Sequence, residues 1–380
     1  MAVFLFTVLF VYLGCCVYAF LRGYRGLPKK NRFAIYYAVI FCLVTLTYPV
    51  ARVLENYVQE PWVWKVLWIG AVGMGFGFYV LLGLIIIDLL RLFCKILGRW
   101  IFLFEEIAPK IRIFGTPTVW VIALCLTIHG TLNALQPVVR QVRVQLFKPF
   151  PDRTELRVAM VSDIHMGSLL QSDRVEKMVD QINDLKPDII LLVGDIIDED
   201  AAMVVSKDWG RSLRFLQAPL GVYAVTGNHE YYAHVDPCVA YLTHHYVRVL
   251  RDETIKIADS FYLCGREDFA RTLMTGEKRT GIADLIGEAK KDKPIIVMDH
   301  QPRDWKKAAE TGVDLYLSGH THAGQLWPLH WVTRAIFGVK QGYQSTDQTS
   351  IYVTNGFGTW GPPMRVGNRP EIVLLTLVGG

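Results

Sequence analysis

Charge of one sign is in short supply: 40 Lys and Arg against 35 Asp and Glu leave a formal charge of only +5 over 380 residues. So small a surplus gives no argument for a nucleic-acid partner, and none is expected. Cysteine is scarce as well. Five of the seven (Cys15, Cys16, Cys42, Cys94 and Cys125) fall in or beside long apolar runs, where they act as small apolar side chains or as acylation sites. Only Cys238 and Cys264 remain, and nothing in the sequence brings them together, although a disulfide would fit an oxidising compartment. The first apolar run, residues 1–21, lacks a basic leader and a small-residue cleavage site, which argues against a cleaved signal peptide.

Long apolar runs are what the first third has in abundance. Residues 1–21, 33–51, 63–87 and 116–135 form stretches of about 19–25 residues, each able to cross a hydrocarbon core roughly 30 Å thick. Tyr24, Tyr57, Trp62, Trp64 and Trp100 sit near their ends, as interfacial anchors do. Four such runs so close together do not fit a soluble core. The expected organisation is a four-helix transmembrane region over 1–136, an Arg- and Pro-containing linker over 137–155, and a globular domain over 156–380.

Orientation follows from the short loops. Arg22, Arg25, Lys29, Lys30 and Arg32 crowd the first, and Arg91, Lys95, Arg99, Lys110 and Arg112 the third, whereas Glu55 and Glu60 offset Arg52 and Lys65 in the second. Basic loops stay cytoplasmic, so both termini and the globular domain are expected outside a multi-pass cell or inner membrane. Arg140, Arg143, Lys148, Arg153 and Arg157 cut against this, but long domains translocate largely regardless of charge. Within the spans, Asp88 and Arg91 are spaced to pair, and Gly70, Gly73, Gly75 and Gly77 form a small-residue face suited to helix packing.

Past residue 155 the pattern changes. Short β-branched runs at 156–161, 188–193, 222–226, 294–298 and 314–318 read as buried strands. Each ends in a polar motif: Asp163-Ile-His165, Gly194-Asp195, Gly227-Asn228-His229-Glu230, His300, and Gly319-His320-Thr-His322. Strand carboxyl ends are where open α/β sheets place their ligand sites. Seven side chains able to bind metal are too many for a single structural ion, so two ions are expected. Two neighbouring cations need a shared anionic bridge, and Asp195, at a sharp turn after Gly194, is best placed to supply it. Gly194 and Gly319 let the backbone come close without a Cβ. The i, i+2 spacing of Asp163 with His165, and of His320 with His322, fits two ligands on one side of an extended segment. Carboxylate, imidazole and amide ligands together favour two divalent transition-metal ions, Mn, Fe or Zn, over Ca.

In this order the motifs resemble those of the calcineurin-like metallophosphoesterases, over roughly residues 156–378. The resemblance implies that Asp163, His165, Asp195 and His322 hold a first metal, and Asp195, Asn228, His300 and His320 a second. It also implies that His229 contacts the phosphate and protonates the leaving oxygen. The tail from Asn355 through Arg365 to Ile372 resembles a branch of the family tethered to bacterial membranes. The expected activity is a membrane-anchored two-metal phosphoester hydrolase, a phosphodiesterase or phosphatase. The other class left open is a receptor or scaffold that binds a phosphorylated ligand without turning it over.

Helical periodicity at 173–185, 206–216 and 281–290, a hairpin at 255–258 and 261–265, and antiparallel strands at 351–354 and 371–377 complete an expected α/β/β/α sandwich, the fold the resemblance also implies. Two stretches have no motif role. Residues 269–280 carry Arg271, Lys278 and Arg279. Residues 328–344 mix Leu329, Trp331, Val332, Ile336 and Phe337 with His330, Arg334 and Lys340, either as an ordinary surface loop or as an amphipathic lip admitting a lipid phosphoester. Tyr231 and Tyr232 beside the motifs, and Arg303 after His300, are candidate substrate contacts. Nothing in the sequence sets the oligomeric state.

Overall fold

The computed structural model describes residues 2–25, 31–97, 102–198, 201–287, 289, 292–346 and 348–380. Lys29, Lys30, Arg99 and Trp100, which entered the reading of the loops, lie outside the described residues, as do the side chains of Arg25, Lys110 and Arg112. The chain divides into two compact units, one of residues 1–132 with 361–364 and one of 133–360 with 365–380.

Four helices make the first unit: α1 (Ala2–Arg25), α2 (Asn31–Leu54), α3 (Pro61–Leu97) and α4 (Phe102–Ala134). The first three run past the apolar stretches 1–21, 33–51 and 63–87 at their carboxyl ends, and α4 begins ahead of the stretch 116–135. Among the described residues, Ala34–Leu54 and Phe114–Ala134 are long and apolar enough to cross a membrane. On α2, Ile35, Val39, Leu43 and Leu46 expose half or more of their surface. The opposite side of α2 packs on α3 through small residues: a Cβ on Gly70 would lie 2.6 Å from the Tyr48 nitrogen, and one on Gly73 would lie 3.3 Å from Val44. At Gly77 no described residue lies within 4 Å of an added Cβ, so among the described residues the packed small-residue face does not extend that far. Asp88 accepts hydrogen bonds from Tyr18 (2.7 Å) and Arg22 Nε (2.8 Å) on α1, while Arg91 stands 3.6 Å away. The stronger partner of Asp88 is therefore on another helix, not three residues along its own.

In the second unit the strands are β1 (Val138–Gln145), β2 (Glu155–Val161), β3 (Ile189–Val193), β4 (Val222–Val225), β5 (Arg248–Val249), β6 (Glu253–Ile257), β7 (Phe261–Gly265), β8 (Ile295–Met298), β9 (Leu315–Ser318), β10 (Gly342–Ser345), β11 (Ser350–Val353) and β12 (Glu371–Val378). They form two six-stranded mixed sheets, ordered β1-β12-β2-β3-β4-β5 and β10-β11-β9-β8-β7-β6. Alternation builds the core between them. Val158 and Met160 of β2 and Leu191 and Val193 of β3 face Leu263, Ile296, Met298 and Leu317 of the other sheet. The outer face of the second sheet buries Cys264, Val297 and Tyr316 against Ile282, Leu285 and Ala308 of helical segments. Helix Ser172–Asp184 buries Val175, Met178, Val179 and Ile182. The expected sandwich is present, and β2, β3 and β4 run parallel, as do β7, β8 and β9, so their carboxyl ends line up.

Several boundaries differ from the expectation. Residues 137–155 are not merely a linker: they contain β1, paired from Val138 with Glu371 to Gln145 with Val378. Its Arg and Gln residues read as a loop, yet charged side chains are what an exposed sheet edge carries. The helix over 206–216 breaks into Ala201–Lys207 and a 3-10 turn at Arg211–Phe215, with Asp208 at φ 47° and Gly210 between them. The helix over 281–290 is only Ile282–Leu285, ending before Gly287; residues 288 and 290 lie outside the described residues. The last two strands are not partners: β11 is antiparallel to β10 in one sheet, and β12 to β2 in the other.

Candidate functional site

Five strand ends deliver the motif residues. Asp163 and His165 follow β2, Asp195 follows β3, His300 follows β8, and His320 and His322 follow β9. Asn228 and His229 open a short helix, Asn228–Tyr232, after β4. The turns are tight: φ is 53° at Asp163, 51° at His165, 51° at Asp195, 65° at His320 and 47° at His322. Non-glycine residues rarely adopt this left-handed conformation, which costs roughly 1–3 kcal/mol at each position and persists only where surrounding contacts impose it. The segments Asp163-x-His165 and His320-x-His322 are thus not extended, as their spacing implied. The turns at β9 send His320 and His322 into different groups.

One group is Asp163, His165 and His322; another is Asp195, His300 and His320; a third joins His165, Asp195 and His229. In each, the potential ligand atoms lie within 4.8 Å of one another. Asp195 therefore belongs to two groups. His165 Nε2 lies 3.0 Å from His322 Nε2, and His322 Nε2 lies 3.3 Å from Asp163 Oδ1. His300 Nε2 is 3.0 Å from Asp195 Oδ2.

Partners outside the groups fix which atoms face inward. His300 Nδ1 is 2.8 Å from the Val193 carbonyl, which can only accept, so Nδ1 carries a proton and Nε2 is the ring atom turned toward Asp195. Asn228 Oδ1 is buried with no hydrogen-bond partner among the described residues. An orphaned amide oxygen costs about 1–3 kcal/mol and fits a cation-binding role. His322 is different. Its Nδ1 faces an Arg365 amino group at 3.0 Å, and a guanidinium can only donate. The proton between the two Nε2 atoms then belongs to His322, which would have to release it to solvent to serve as a metal ligand through Nε2.

Glycines make the approach possible. A Cβ on Gly194, at φ 77°, would lie 2.6 Å from the His300 ring, and one on Gly319 would run into Ser162 and Asp163. These positions clear space for the candidate ligands themselves.

Three residues supporting the site went unassigned at the sequence level. Glu230 is buried and accepts backbone N–H groups from Gly227 (2.6 Å), Asp195 (3.0 Å), Ile196 (2.7 Å) and Ile197 (2.8 Å), binding the β3 turn to the β4 turn. Asp198 lies 2.5 Å from His229 Nδ1. Arg365, fully buried, donates to the carbonyls of His322 (2.9 Å), Asn355 (2.7 Å) and Gly358 (2.5 Å). The spacing Gly194-Asp-x-x-Asp198 and the Glu after His229 were signals for the first two. Arg365, 43 residues beyond His322, had none beyond its place in the tail motif.

The charges are strongly coupled to burial. Desolvation raises Asp195, but the His300 and His229 imidazoles bring its carboxyl well below the ordinary range. For His229, burial pulls the pKa down, yet the Asp195 and Asp198 carboxylates push it up to about 9. Burial and the neighbouring His300 bring His320 down to about 3. Burial and the Arg365 cation hold His322 well below its usual value.

Substrate-contact candidates separate. Tyr231 turns inward, its hydroxyl donating to Glu267 at 2.6 Å, so it does not face the site. Tyr232 is exposed, with its ring 5.4 Å from that of His229. Arg303 is exposed and stacks over Phe269 (4.7 Å) and Phe337 (5.5 Å). Residues 328–344 contain a helix, His330–Phe337, with none of its residues buried; Trp331 and Ile336 are more than 60% exposed. Phe337 is not part of that outer face: it packs on the core, with its ring 5.6 Å from His320. Cys238 and Cys264 are both buried and are not joined by a disulfide.

Residues 156–324 match the calcineurin-like phosphoesterase family. An uncharacterized metallophosphoesterase of Helicobacter pylori is 36% identical over 231 residues, 59% of this chain and 60% of its own length. A transmembrane protein with metallophosphoesterase domain of Bos taurus is 35% identical over 268 residues, 66% of this chain and 60% of its own. The chain thus spans about 60% of the length of these curated relatives. An uncharacterized metallophosphoesterase of Aquifex aeolicus is 34% identical over 232 residues, 60% of this chain and 87% of its own length. Matched over nearly all of that relative, with every motif residue gathered at aligned strand ends, this chain belongs to the calcineurin-like metallophosphoesterases.

Proposed function

We propose that the chain is a membrane-anchored phosphoester hydrolase that works with two divalent metal ions. The observation that carries this reading is a pair of adjoining His/Asp groups, Asp163-His165-His322 and Asp195-His300-His320, with His165 Nε2 3.9 Å from Asp195 Oδ2 and an Asn228 oxygen that has no hydrogen-bond partner among the described residues. Asp163, His165, Asp195 and His322 would hold one ion, and Asp195, Asn228, His300 and His320 the other. Bound there, Mn, Fe or Zn ions would offset the negative charge that builds on the phosphoryl oxygens. His229 donates a proton from Nε2 to the departing oxygen, because Asp198 accepts the Nδ1–H hydrogen bond in its 2.5 Å contact and fixes the ring. Tyr232, rather than Tyr231, flanks the group that leaves.

Asp195→Asn removes the shared carboxylate, so both metal content and turnover of a chromogenic phosphodiester are expected to collapse. His229→Ala should lower turnover by about 10²–10⁴-fold while the metals stay. Full activity of the Asp195 variant, or a protein that gains nothing from Mn, Fe or Zn, would sink the mechanism. Metal and ligand binding with no turnover would favour the receptor class.

Finer readings attach to the same proposal. Four spans, with the catalytic unit outside, follow from the loop charges and lengths. A lipid-linked or membrane-proximal substrate is supported by the exposed Trp327, Trp331, Val332 and Ile336, an apolar lip whose Trp331 would gain about 1.5–3 kcal/mol if fully withdrawn from water. Trp331→Asp with Ile336→Asp should weaken processing of a total lipid extract more than hydrolysis of soluble phosphoesters. An equal loss on both would remove the lip from the reading.

A further inference from the structure

Outside the two His/Asp groups, the catalytic unit has a cavity of about 270 Å³ whose lining is unusually cationic. Arg266, Lys278, Arg279, Arg303 and Lys307 all border it, and the acid on its wall is Asp304. Part of this charge is structural. Arg266 donates to Asp299 (3.0 Å) and Asp304 (2.7 Å), and Arg279 to the same two carboxylates (2.8 and 3.1 Å). Both guanidiniums are 5–6% exposed, so they are fixed parts of the wall. Lys307 also reaches Asp304, at 2.9 Å, but is 70% exposed. Two carboxylates therefore face five cations.

The surplus sits on groups free to take a ligand. Among the described residues Lys278 has no carboxylate partner, and neither has Arg303. Arg303 is held by its apolar surroundings: its guanidinium lies over the Phe269 and Phe337 rings, and its Nε donates to Gln301 Oε1 at 2.7 Å. Stacking on two rings fixes the plane of the fork, and its two amino groups have no hydrogen-bond partner among the described residues. That is how an arginine is prepared for an anion. The cavity is also tied to the candidate metal centre, since the Phe337 ring under Arg303 is the one 5.6 Å from His320.

We propose that this cavity binds a second anionic group, a phosphate or carboxylate, on the same molecule whose phosphoester is cleaved. The inference rests on the proposed hydrolase reading and narrows its substrate to a phosphoester bearing another anion on a short spacer. Arg303 and Lys278 contact that anion, Lys307 adds to the field, and Arg266 and Arg279 set the wall through Asp299 and Asp304. A lipid head group and a soluble bisphosphate share this chemistry.

The test is a binding measurement on the full-length, Mn-loaded protein in detergent, using ethylphosphonate and ethylene-1,2-bisphosphonate. The wild type is expected to bind the bisphosphonate about tenfold more tightly or better, and Lys278→Ala with Lys307→Ala should cut that ratio to about twofold. Lys278→Arg with Lys307→Arg should restore it, which a general loss of structure would not allow. Equal affinity for the two probes in the wild type overturns the inference, as does a ratio that survives the double alanine change, because chelation alone would behave that way. Binding is read without turnover, so a protein that prefers the bisphosphonate but hydrolyses no phosphoester would defeat the hydrolase reading and leave the cavity's role standing. Competition by phosphatidylglycerophosphate micelles or by glycerol 1,3-bisphosphate supports the inference in either case, and the stronger competitor identifies the source.

Discussion

Asp198 and His229 meet at 2.5 Å, and this contact decides what the histidine can do. Against the pull of burial, the Asp195 and Asp198 carboxylates push the His229 pKa up to about 9, which favours at neutral pH the charged form that the proposed proton donation needs. Asp198→Asn removes one of those negative charges. The alkaline limb of kcat is then expected to move to lower pH, and turnover to fall about 10–100-fold, with metal content unchanged. A pH–rate profile with bound metal measured in parallel checks this; an unmoved limb would separate Asp198 from proton transfer. Glu230 calls for a different outcome. Its two oxygens accept four backbone N–H groups, and Glu230→Gln would turn an amide N–H toward some of them. The expected loss is about 2–4 kcal/mol of stability, seen as a lower midpoint in thermal unfolding, together with weaker metal binding as the β3 turn loosens. The candidate ligands were legible because Asp, Asn and His stand in a fixed order after β-branched runs. Arg365 was not, because a buried arginine whose partners are mostly main-chain carbonyls leaves no pattern in the chain.

At the scale of the elements, the core strands were readable to within a residue or two: 156–161 became Glu155–Val161, and 314–318 became Leu315–Ser318. Apart from Glu155 and Arg157 these strands are buried on both faces, which leaves a nearly continuous apolar signature. The edges were not readable in the same way. The edge strand β1 carries Arg140 and Arg143, and the 206–216 segment folds as two pieces because Asp208 turns the chain left-handed. Nor could spacing reveal the turns after the strands, where five candidate ligands take positive φ values imposed by tertiary contacts. Gly319 tests whether those turns are as tight as they look. A Cβ there meets the Ser162 hydroxyl and the Asp163 carboxylate, which also accepts the His320 N–H at 3.0 Å. Gly319→Ala should therefore displace Asp163, costing about 1–3 kcal/mol of stability and lowering metal occupancy, read by elemental analysis of the purified protein. Retention of full occupancy would mean that the β2 and β9 turns can part without loss of the site.

For the whole molecule, the open matter is which side of a membrane the catalytic unit occupies. Apolar helices say that a crossing is feasible, but not its direction; that rests on the basic residues of short loops. The five basic residues from Arg140 to Arg157, after the last expected span, pull the other way. Chemical labelling can decide between them because the thiols are sorted by burial. Cys94, Cys238 and Cys264 are buried, whereas Cys42 and Cys125 are exposed and Cys15 and Cys16 partly so. Replacing the last four by serine leaves a background with little reactivity, and Ser345→Cys puts one exposed thiol on β10 of the catalytic unit. In intact cells, with any outer membrane permeabilised, a membrane-impermeant maleimide is expected to label Ser345→Cys fully. Labelling only after lysis of the inner membrane would put the unit in the cytoplasm and make the Arg140–Arg157 cluster the dominant signal. In either case alkaline carbonate should fail to extract the chain from membranes, since α2 and α4 each offer 21 residues apolar enough to span. Release by carbonate would mean that those helices do not cross, and the orientation argument would fall with them.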